Sequence, residues 1–306
     1  MIYYHKIVMM IFSGLSNQSL AKKIAGELEV DLGKVEITRF ANDEARVWVK
    51  ESKVEKEVVV IQSLSQPTDH NLVEFCLLCD ALKRMGVREI TAVIPWMGYS
   101  KQDKVFRAGE PLSVKVIAKM LQVVDLEKII TFDLHNLSIL GFFEVPVVNL
   151  SARDLFLDYF KKQVSQKTLV VAPDAGAVKA STSFADSLGV GVAYIDKKRD
   201  LKTGEVSIKG ISREVKGTEV IIVDDMVVTG GTLIKTAEFL KKQGVKSVKV
   251  GATHHLYVPR TQEKLDKSVI DEVVVTDTIE QKVKSKKLKI LSVAKIVVGE
   301  MGGLER

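Results

Sequence analysis

Cysteine is almost missing from this chain, with two in 306 residues, so a disulfide framework is excluded. The pair forms a lone Cys76-Leu77-Leu78-Cys79 inside an apolar helical pattern. With no second pair and no nearby histidine, it reads as buried thiols rather than a metal or redox centre. That usage places the chain in a reducing, cytoplasmic compartment. Prolines number 6 and glycines 20, which excludes fibrous and low-complexity classes. The apolar N-terminus, Met1 to Phe12, is too short to cross a bilayer and lacks a small-residue cleavage pattern. No membrane is expected as a partner, and Ile7 to Phe12 reads as a first buried strand.

Aromatic residues are few, at 6%, and none interleave with the lysines into a basic nucleic-acid motif. No nucleic acid is therefore expected, although the formal net charge is +6. A basic balance equally suits an enzyme whose substrates are polyanions. The one dense run, Lys282, Lys284, Lys286, Lys287 and Lys289, reads as a solvated turn.

What is present is 46% hydrophobic and 27% charged sequence, enough for two globular domains of about 150 residues. Apolar runs alternate with helical segments, the pattern of a parallel sheet covered by helices. The runs predict strands at 7–12, 57–62, 89–94, 127–132, 168–172, 190–195, 219–223, 247–252 and 271–275. Helices are expected at 17–29, 70–85, 113–123, 152–164, 177–188, 231–243 and 292–302. The order repeats: Ala81 to Tyr99 lines up with Phe239 to Tyr257 at an offset of 158 residues. Gly86 and Gly244 would each end a helix as its left-handed residue. One α/β architecture is used twice, in domains 1–150 and 151–306.

The copies differ before that shared helix. The second has Ile221-Ile222-Val223-Asp224-Asp225-Met226-Val227-Val228-Thr229-Gly230-Gly231-Thr232, where the first has Val59 to Pro67 with no such loop. In an open parallel sheet, ligands gather at the carboxyl ends of strands, where Asp224 and Asp225 are expected. The Thr229 to Thr232 turn offers hydroxyls and backbone N–H groups at a helix N-terminus, which favours an anion. Carboxylates would repel a phosphate, so the two aspartates suit sugar hydroxyls or a metal. The alternative is that they end a buried strand and cap the next helix.

Three other segments carry chemistry at strand ends. Pro173-Asp174-Ala175-Gly176 sets a carboxylate before small residues and a helix, and Asp133-Leu134-His135-Asn136 sets an acid beside a histidine. Lys197-Lys198-Arg199 places three cations on what should be a mobile loop. Taken alone, His135 reads more readily as a structural residue and the cation run as a solvated surface. Phe40 reads equally as core packing.

Residues 221–232 resemble the phosphoribosyl-binding signature of the type I phosphoribosyltransferase fold. Together with Arg39-Phe40-Ala41-Asn42-Asp43-Glu44, the run from Ile94 to Lys104, Asp133-Leu134-His135, Gly141-Phe142-Phe143 and Pro173 to Gly176, the chain resembles the ribose-phosphate pyrophosphokinase family from about Phe12 to Gly299. The resemblance implies two duplicated phosphoribosyltransferase-like domains, each a mainly parallel sheet flanked by helices. It implies transfer of the β,γ-pyrophosphoryl group of ATP to the 1-hydroxyl of ribose 5-phosphate. The products would be AMP and 5-phosphoribosyl 1-diphosphate, for nucleotide, histidine and tryptophan biosynthesis.

By the same resemblance, Lys197 and Arg199 would be catalytic, and Phe40, Asn42, Asp43, Glu44, Lys101 and Gln102 would bind ATP. Arg199, Asp224, Asp225, Val228, Thr229, Gly230, Gly231 and Thr232 would bind ribose 5-phosphate. His135 and Asp174, meeting across the domain cleft, would hold Mg2+, with Asp133 a weaker candidate. A homo-oligomer is implied, with the ATP site near a subunit interface. Three positions depart from the family pattern: Lys101 stands where many members have arginine, Val228 where many have aspartate, and Ala180 follows Lys179 where arginine is common. A phosphoribosyltransferase usually needs one such domain and a hood. A non-catalytic homologue would be expected to lose Lys197, Arg199 or His135, and all three are present.

Overall fold

A computed structural model describes residues 9–199 and 206–302, with side chains at all of these except 198, 199, 206 and 207. The chain folds as two compact units. Each is an α/β sheet, as the alternating pattern implies.

The first unit begins with β1 (Met10–Ser13), α1 (Gln18–Glu27), β2 (Val35–Arg39), β3 (Ala45–Val49) and β4 (Glu57–Ile61). It continues with α2 (Thr68–Arg84), β5 (Glu89–Val93), α3 (Ser113–Gln122), β6 (Lys128–Phe132), a 3-10 turn at Leu137–Phe142 and β7 (Val147–Leu150). Five strands form a parallel sheet in the order β1-β4-β5-β6-β7. Its strands are apolar on both faces because helices cover both; Val58 to Ile61 are all buried. Phe12, Phe75, Leu78, Cys79 and Leu82 share one core cluster. Both cysteines are free, Cys79 fully buried and Cys76 half-buried, and burial pushes both thiols up. They are packing groups on α2. The expected strand at 7–12 is seen from Met10, and residues 7 and 8 lie outside the described residues.

The second unit contains α4 (Arg153–Lys161), β8 (Thr168–Ala172), α5 (Val178–Leu188), β9 (Gly191–Arg199), β10 (Val206–Ile211) and β11 (Glu219–Val227). It goes on with α6 (Gly231–Lys242), β12 (Ser247–His255), α7 (Thr261–Lys267), β13 (Glu272–Thr276) and β14 (Leu288–Leu291). Its sheet runs β10-β9-β8-β11-β12-β13-β14, parallel except for β10. Lys289 lies in β14 and the Lys287 ammonium donates to the Ser268 carbonyl at 2.8 Å. The lysine run is therefore partly strand, because Leu288 and Ile290 alternate with its charges.

Strands β8-β11-β12-β13-β14 repeat the order β1-β4-β5-β6-β7, so the duplication extends to topology. Gly86 and Gly244 both follow helix ends with φ of 93° and 85°. The aligned Tyr99 and Tyr257 also share positive φ, 64° and 49°. One slot is used differently. Between the first and second strand of each repeat lies a hairpin; β2–β3 stands as its own sheet, whereas β9–β10 joins the main sheet beside β8.

The units are not two contiguous halves. Residues 278–280 and 292–302 belong to the first unit. The last helix, α8 (Ala294–Gly302), packs on α1, and Glu300 pairs with Lys128 at the start of β6. Its apolar face, Ala294, Val297 and Met301, finds cover there.

Candidate active site

In the second unit, β11 carries Asp224 and Asp225 within the strand rather than at its end. Pairing with β12 continues through Asp224↔Ala252 to Val227↔His255, because β12 itself runs on through Thr253 and His254 to His255. Asp224 Oδ1 accepts the Asp225 N–H at 2.9 Å. Burial, then the charge of Asp225, pushes the Asp224 carboxyl up to about 7. Neither aspartate caps α6; its cap is Gly230 at φ 71°, with no side-chain hydrogen bond. The capping alternative is thereby set aside. At Gly230 φ favours glycine, and a Cβ there would press on Leu265 Cδ2 at 3.2 Å.

Asp174 follows the end of β8. It is exposed, and its Oδ1 accepts the Ala177 N–H at 3.1 Å, folding the carboxylate back over the start of α5. A Cβ on Gly176 would stand 3.3 Å from that oxygen, which explains the small residue. Lys197 lies in β9, opposite Ile208 of β10. The cation run is strand, not a free loop, because it pairs with β10, whose Ile208 and Ile211 pack against the unit's core. The Lys197 Nζ is buried with no hydrogen-bond partner among the described residues. Burial pulls its ammonium down, while the carboxylates of Asp174 and Asp224 oppose this. The fold thus brings Lys197, Asp174 and Asp224 within electrostatic reach of one another. The backbone of Arg199 pairs with Val206, and its side chain lies outside the described ones.

In the first unit, Phe40 to Glu44 form the tip of the β2–β3 hairpin. The Phe40 N–H donates to Glu44 O and the Asp43 N–H to Phe40 O, both at 2.9 Å. Asp43 takes φ 68°, a conformation that aspartate tolerates in turns. Asn42 Oδ1 accepts the Glu44 N–H at 3.4 Å, and Arg39 donates to Asp43 O at 2.7 Å. Phe40 is 55% exposed, so it is not core. The Asp43 carboxylate lies 3.6 Å from His70 Nε2, linking the tip to the first turn of α2. There Gln66, Pro67, Thr68, Asp69, His70, Tyr99 and Gln102 line a cavity of about 420 Å³. Lys101 is exposed beside it, and Gln102 Oε1 accepts the Ser113 hydroxyl at 2.7 Å.

Sequence reasoning picks out Gln102 but misses Thr68, Asp69, His70 and Tyr99 as lining residues. Pro67 ahead of a helical pattern and Tyr99 at the end of the duplicated segment are the available signals. Here the first copy's counterpart of the phosphate loop is tied up internally. Gln62 Oε1 accepts the Ser16 N–H and hydroxyl at 3.1 and 2.7 Å, and Gln62 Nε2 donates to the buried Glu74 at 2.8 Å.

His135 is exposed in the turn after β6. Asp133 before it takes φ 35°, and its N–H donates to Leu150 O at 2.9 Å. Asn136 donates to Asp103 at 2.8 Å, bracing the turn against the Lys101–Gln102 loop. No three histidine, cysteine, aspartate or glutamate side chains cluster as a metal cage among the described residues.

Residues 9–124 match the N-terminal domain of ribose phosphate pyrophosphokinase, and residues 147–287 match a phosphoribosyl transferase domain. The ribose-phosphate pyrophosphokinase of Campylobacter jejuni is 38% identical across 94% of this chain and 92% of its own length. That of Ralstonia nicotianae is 41% identical across 89% and 86%, and that of Aquifex aeolicus 39% across 94% and 93%. The crystal structure of phosphoribosylpyrophosphate synthetase from Mycobacterium smegmatis superposes with a TM-score of 0.87 at 33% identity, covering 97% of this chain and 98% of that one.

Proposed function

Because this chain belongs to the ribose-phosphate pyrophosphokinase family and so transfers the β,γ-pyrophosphoryl group of ATP to the 1-hydroxyl of ribose 5-phosphate, we propose a role for each part of the site. Asp224 and Asp225 accept hydrogen bonds from ribose hydroxyls, and residues 228–232 cradle the 5-phosphate with the Thr229 and Thr232 hydroxyls and backbone N–H groups at the start of α6. Lys197 and Arg199 face the β-phosphorus. Phe40 stacks on adenine, with Asn42, Asp43, Glu44, Lys101 and Gln102 on its polar edge, ribose and phosphates.

The carrying observation is the buried Lys197 ammonium opposed by Asp174 and Asp224. In the reaction the bond from ribose O1 to the β-phosphorus forms as the bond from that phosphorus to the AMP oxygen breaks. Negative charge spreads over the nonbridging oxygens, and positioned cations stabilise it. A desolvated ammonium is strong there because water does not screen it. Mg2+ would neutralise phosphate charge, and Asp174 offers the oxygen donor magnesium prefers.

We further place the enzyme in the cytoplasm as a homo-oligomer in which the hairpin serves a neighbouring copy. The exposure of Phe40, and of Trp48 at 52% on the same hairpin, supports a second chain as its cover. No helix among the described residues is long and apolar enough to cross a membrane.

The test is AMP release from ATP, ribose 5-phosphate and magnesium. Chains carrying Phe40→Ala and chains carrying Lys197→Ala should each be weak alone and recover activity when mixed and reassembled. No recovery would place Phe40 in its own chain's site.

A further inference from the structure

The phosphate loop does not stand on β11 alone. The Val228 carbonyl accepts the Thr261 hydroxyl at 3.0 Å, and the Val227 carbonyl accepts the Leu256 N–H at 2.9 Å. Leu265 and Thr261 are the side chains nearest to Gly230, at 3.2 and 3.7 Å from where its Cβ would be. The loop therefore rests on α7, and whatever holds α7 sets where the loop's carbonyls and N–H groups point.

The connection into α7 is strained. Tyr257 and Arg260 both take the left-handed region, at φ 49° and 65°, which bulky residues adopt only when their surroundings impose it. His255, fully buried at the end of β12, is the staple. Its Nδ1 accepts the Tyr257 N–H at 2.9 Å. A backbone N–H can only donate, so the ring proton must sit on Nε2. That proton points to Gln262 Oε1 at 3.2 Å. Gln262 Nε2 in turn donates to Asp266 Oδ1 at 2.8 Å, and the Ser285 hydroxyl donates to the same oxygen at 2.6 Å. The Tyr257 ring lies flat on the imidazole, 4.1 Å between centroids and 18° between planes. Every polar atom of the imidazole and of the Gln262 amide is thus used in holding the turn and α7 together.

We infer that His255, Gln262 and Thr261 are positioning residues for ribose 5-phosphate: the buried chain from the Tyr257 amide through His255 to Gln262 seats α7, and Thr261 transmits that seat to the Val228 carbonyl. The inference rests on the reading of residues 228–232 as the ribose 5-phosphate cradle. It assigns a specific duty to a histidine remote from the reacting atoms. Burial holds the imidazole down at about 4, so the lone pair on Nδ1 stays available across neutral pH.

The experiment compares steady-state constants of Thr261→Val, His255→Phe and His255→Asn with a cradle variant, Thr229→Val. Thr261→Val keeps shape and loses one hydrogen bond; His255→Phe keeps the stack and loses both; His255→Asn restores an acceptor for the Tyr257 amide. Losing one such bond corresponds to roughly two- to tenfold in an equilibrium constant. Thr261→Val and His255→Phe should raise KM for ribose 5-phosphate by about that factor, leaving KM for ATP and kcat near their starting values, and His255→Asn should recover part of the loss. An unchanged KM for ribose 5-phosphate in Thr261→Val, beside a raised one in Thr229→Val, would overturn the inference alone. If Thr229→Val is also silent, the cradle reading itself falls. Should His255→Phe not fold, Thr261→Val decides, because its volume is unchanged.

Discussion

An ammonium withdrawn from water without a hydrogen-bond partner keeps its proton only if carboxylates face it. Lys197 has Asp174 and Asp224 in that position, and on binding it can turn the same charge toward phosphate oxygens. Replacing Lys197 with alanine should cut kcat by about 10²- to 10³-fold, the loss expected for one preorganised charge donor. Calorimetric binding of ribose 5-phosphate should change little; a kcat close to the parent's would remove Lys197 from the chemistry. His255 offers a second test at this scale. Its folded value, about 4, lies below the ordinary 6.5 because burial disfavours the imidazolium, with Tyr257, Asp266 and Asp277 the titratable groups around its turn. The unfolded chain therefore binds the proton first, and stability falls as pH drops from about 6.5 towards 4, by up to about 1.4 kcal/mol per pH unit. His255→Asn cannot titrate, so its thermal midpoint should decline less than the parent's between pH 7 and pH 5. Parallel declines would show that other groups set the acid limb.

At the scale of elements, two glycines end equivalent helices with positive φ, but their surroundings differ. A Cβ on Gly86 meets only the flexible end of Lys56 at 3.4 Å, whereas on Gly244 it meets Lys216 Cγ at 3.0 Å. Both alanine variants should cost about 1–2 kcal/mol from backbone strain, with Gly244→Ala the costlier. At about 2–4 °C per kcal/mol for a unit of this size, differential scanning calorimetry resolves the order; equal losses would mean Lys216 moves aside freely. These glycines were legible in sequence because a helix pattern stops at each. The parallel strands were legible too, since Val58 to Ile61 or Val248 to Ala252 are apolar almost without interruption. β2, β3, β7, β10, β14 and α7 escaped notice because they are short, and most of them mix charge with apolar residues. The Asp224–Asp225 pair was placed at a strand end because polarity usually marks one. Here β12 continues to His255 and keeps β11 paired through it. The His255–Gln262 chain had no sequence signal, since its members meet only through the turn at Tyr257 and Arg260.

Across the whole molecule, a duplicated order of strands carries two different hairpins and one returning helix. Sequence periodicity revealed the repeat, but nothing local says that a helix near residue 300 belongs with one near residue 20. That pairing depends on which apolar faces are left uncovered. α1 buries Leu20, Ala21, Ile24 and Ala25, and α8 brings Ala294, Val297 and Met301 to the same unit. A chain ending at Leu291 should strip this cover, lose the Lys128–Glu300 pair and forfeit about 1.5–3 kcal/mol for each fully buried Val- or Met-sized side chain. The loss falls on the first unit, which would hold the ATP-binding hairpin, while β11 and β12 keep their neighbours. Native-state hydrogen exchange reads this directly: amides of Leu20 to Ala25 should exchange faster by orders of magnitude, and those of Ile222 and Val250 should be nearly unchanged. Slow exchange throughout α1 in the shortened chain would mean that the five-stranded sheet alone holds it, and that α8 is a passenger.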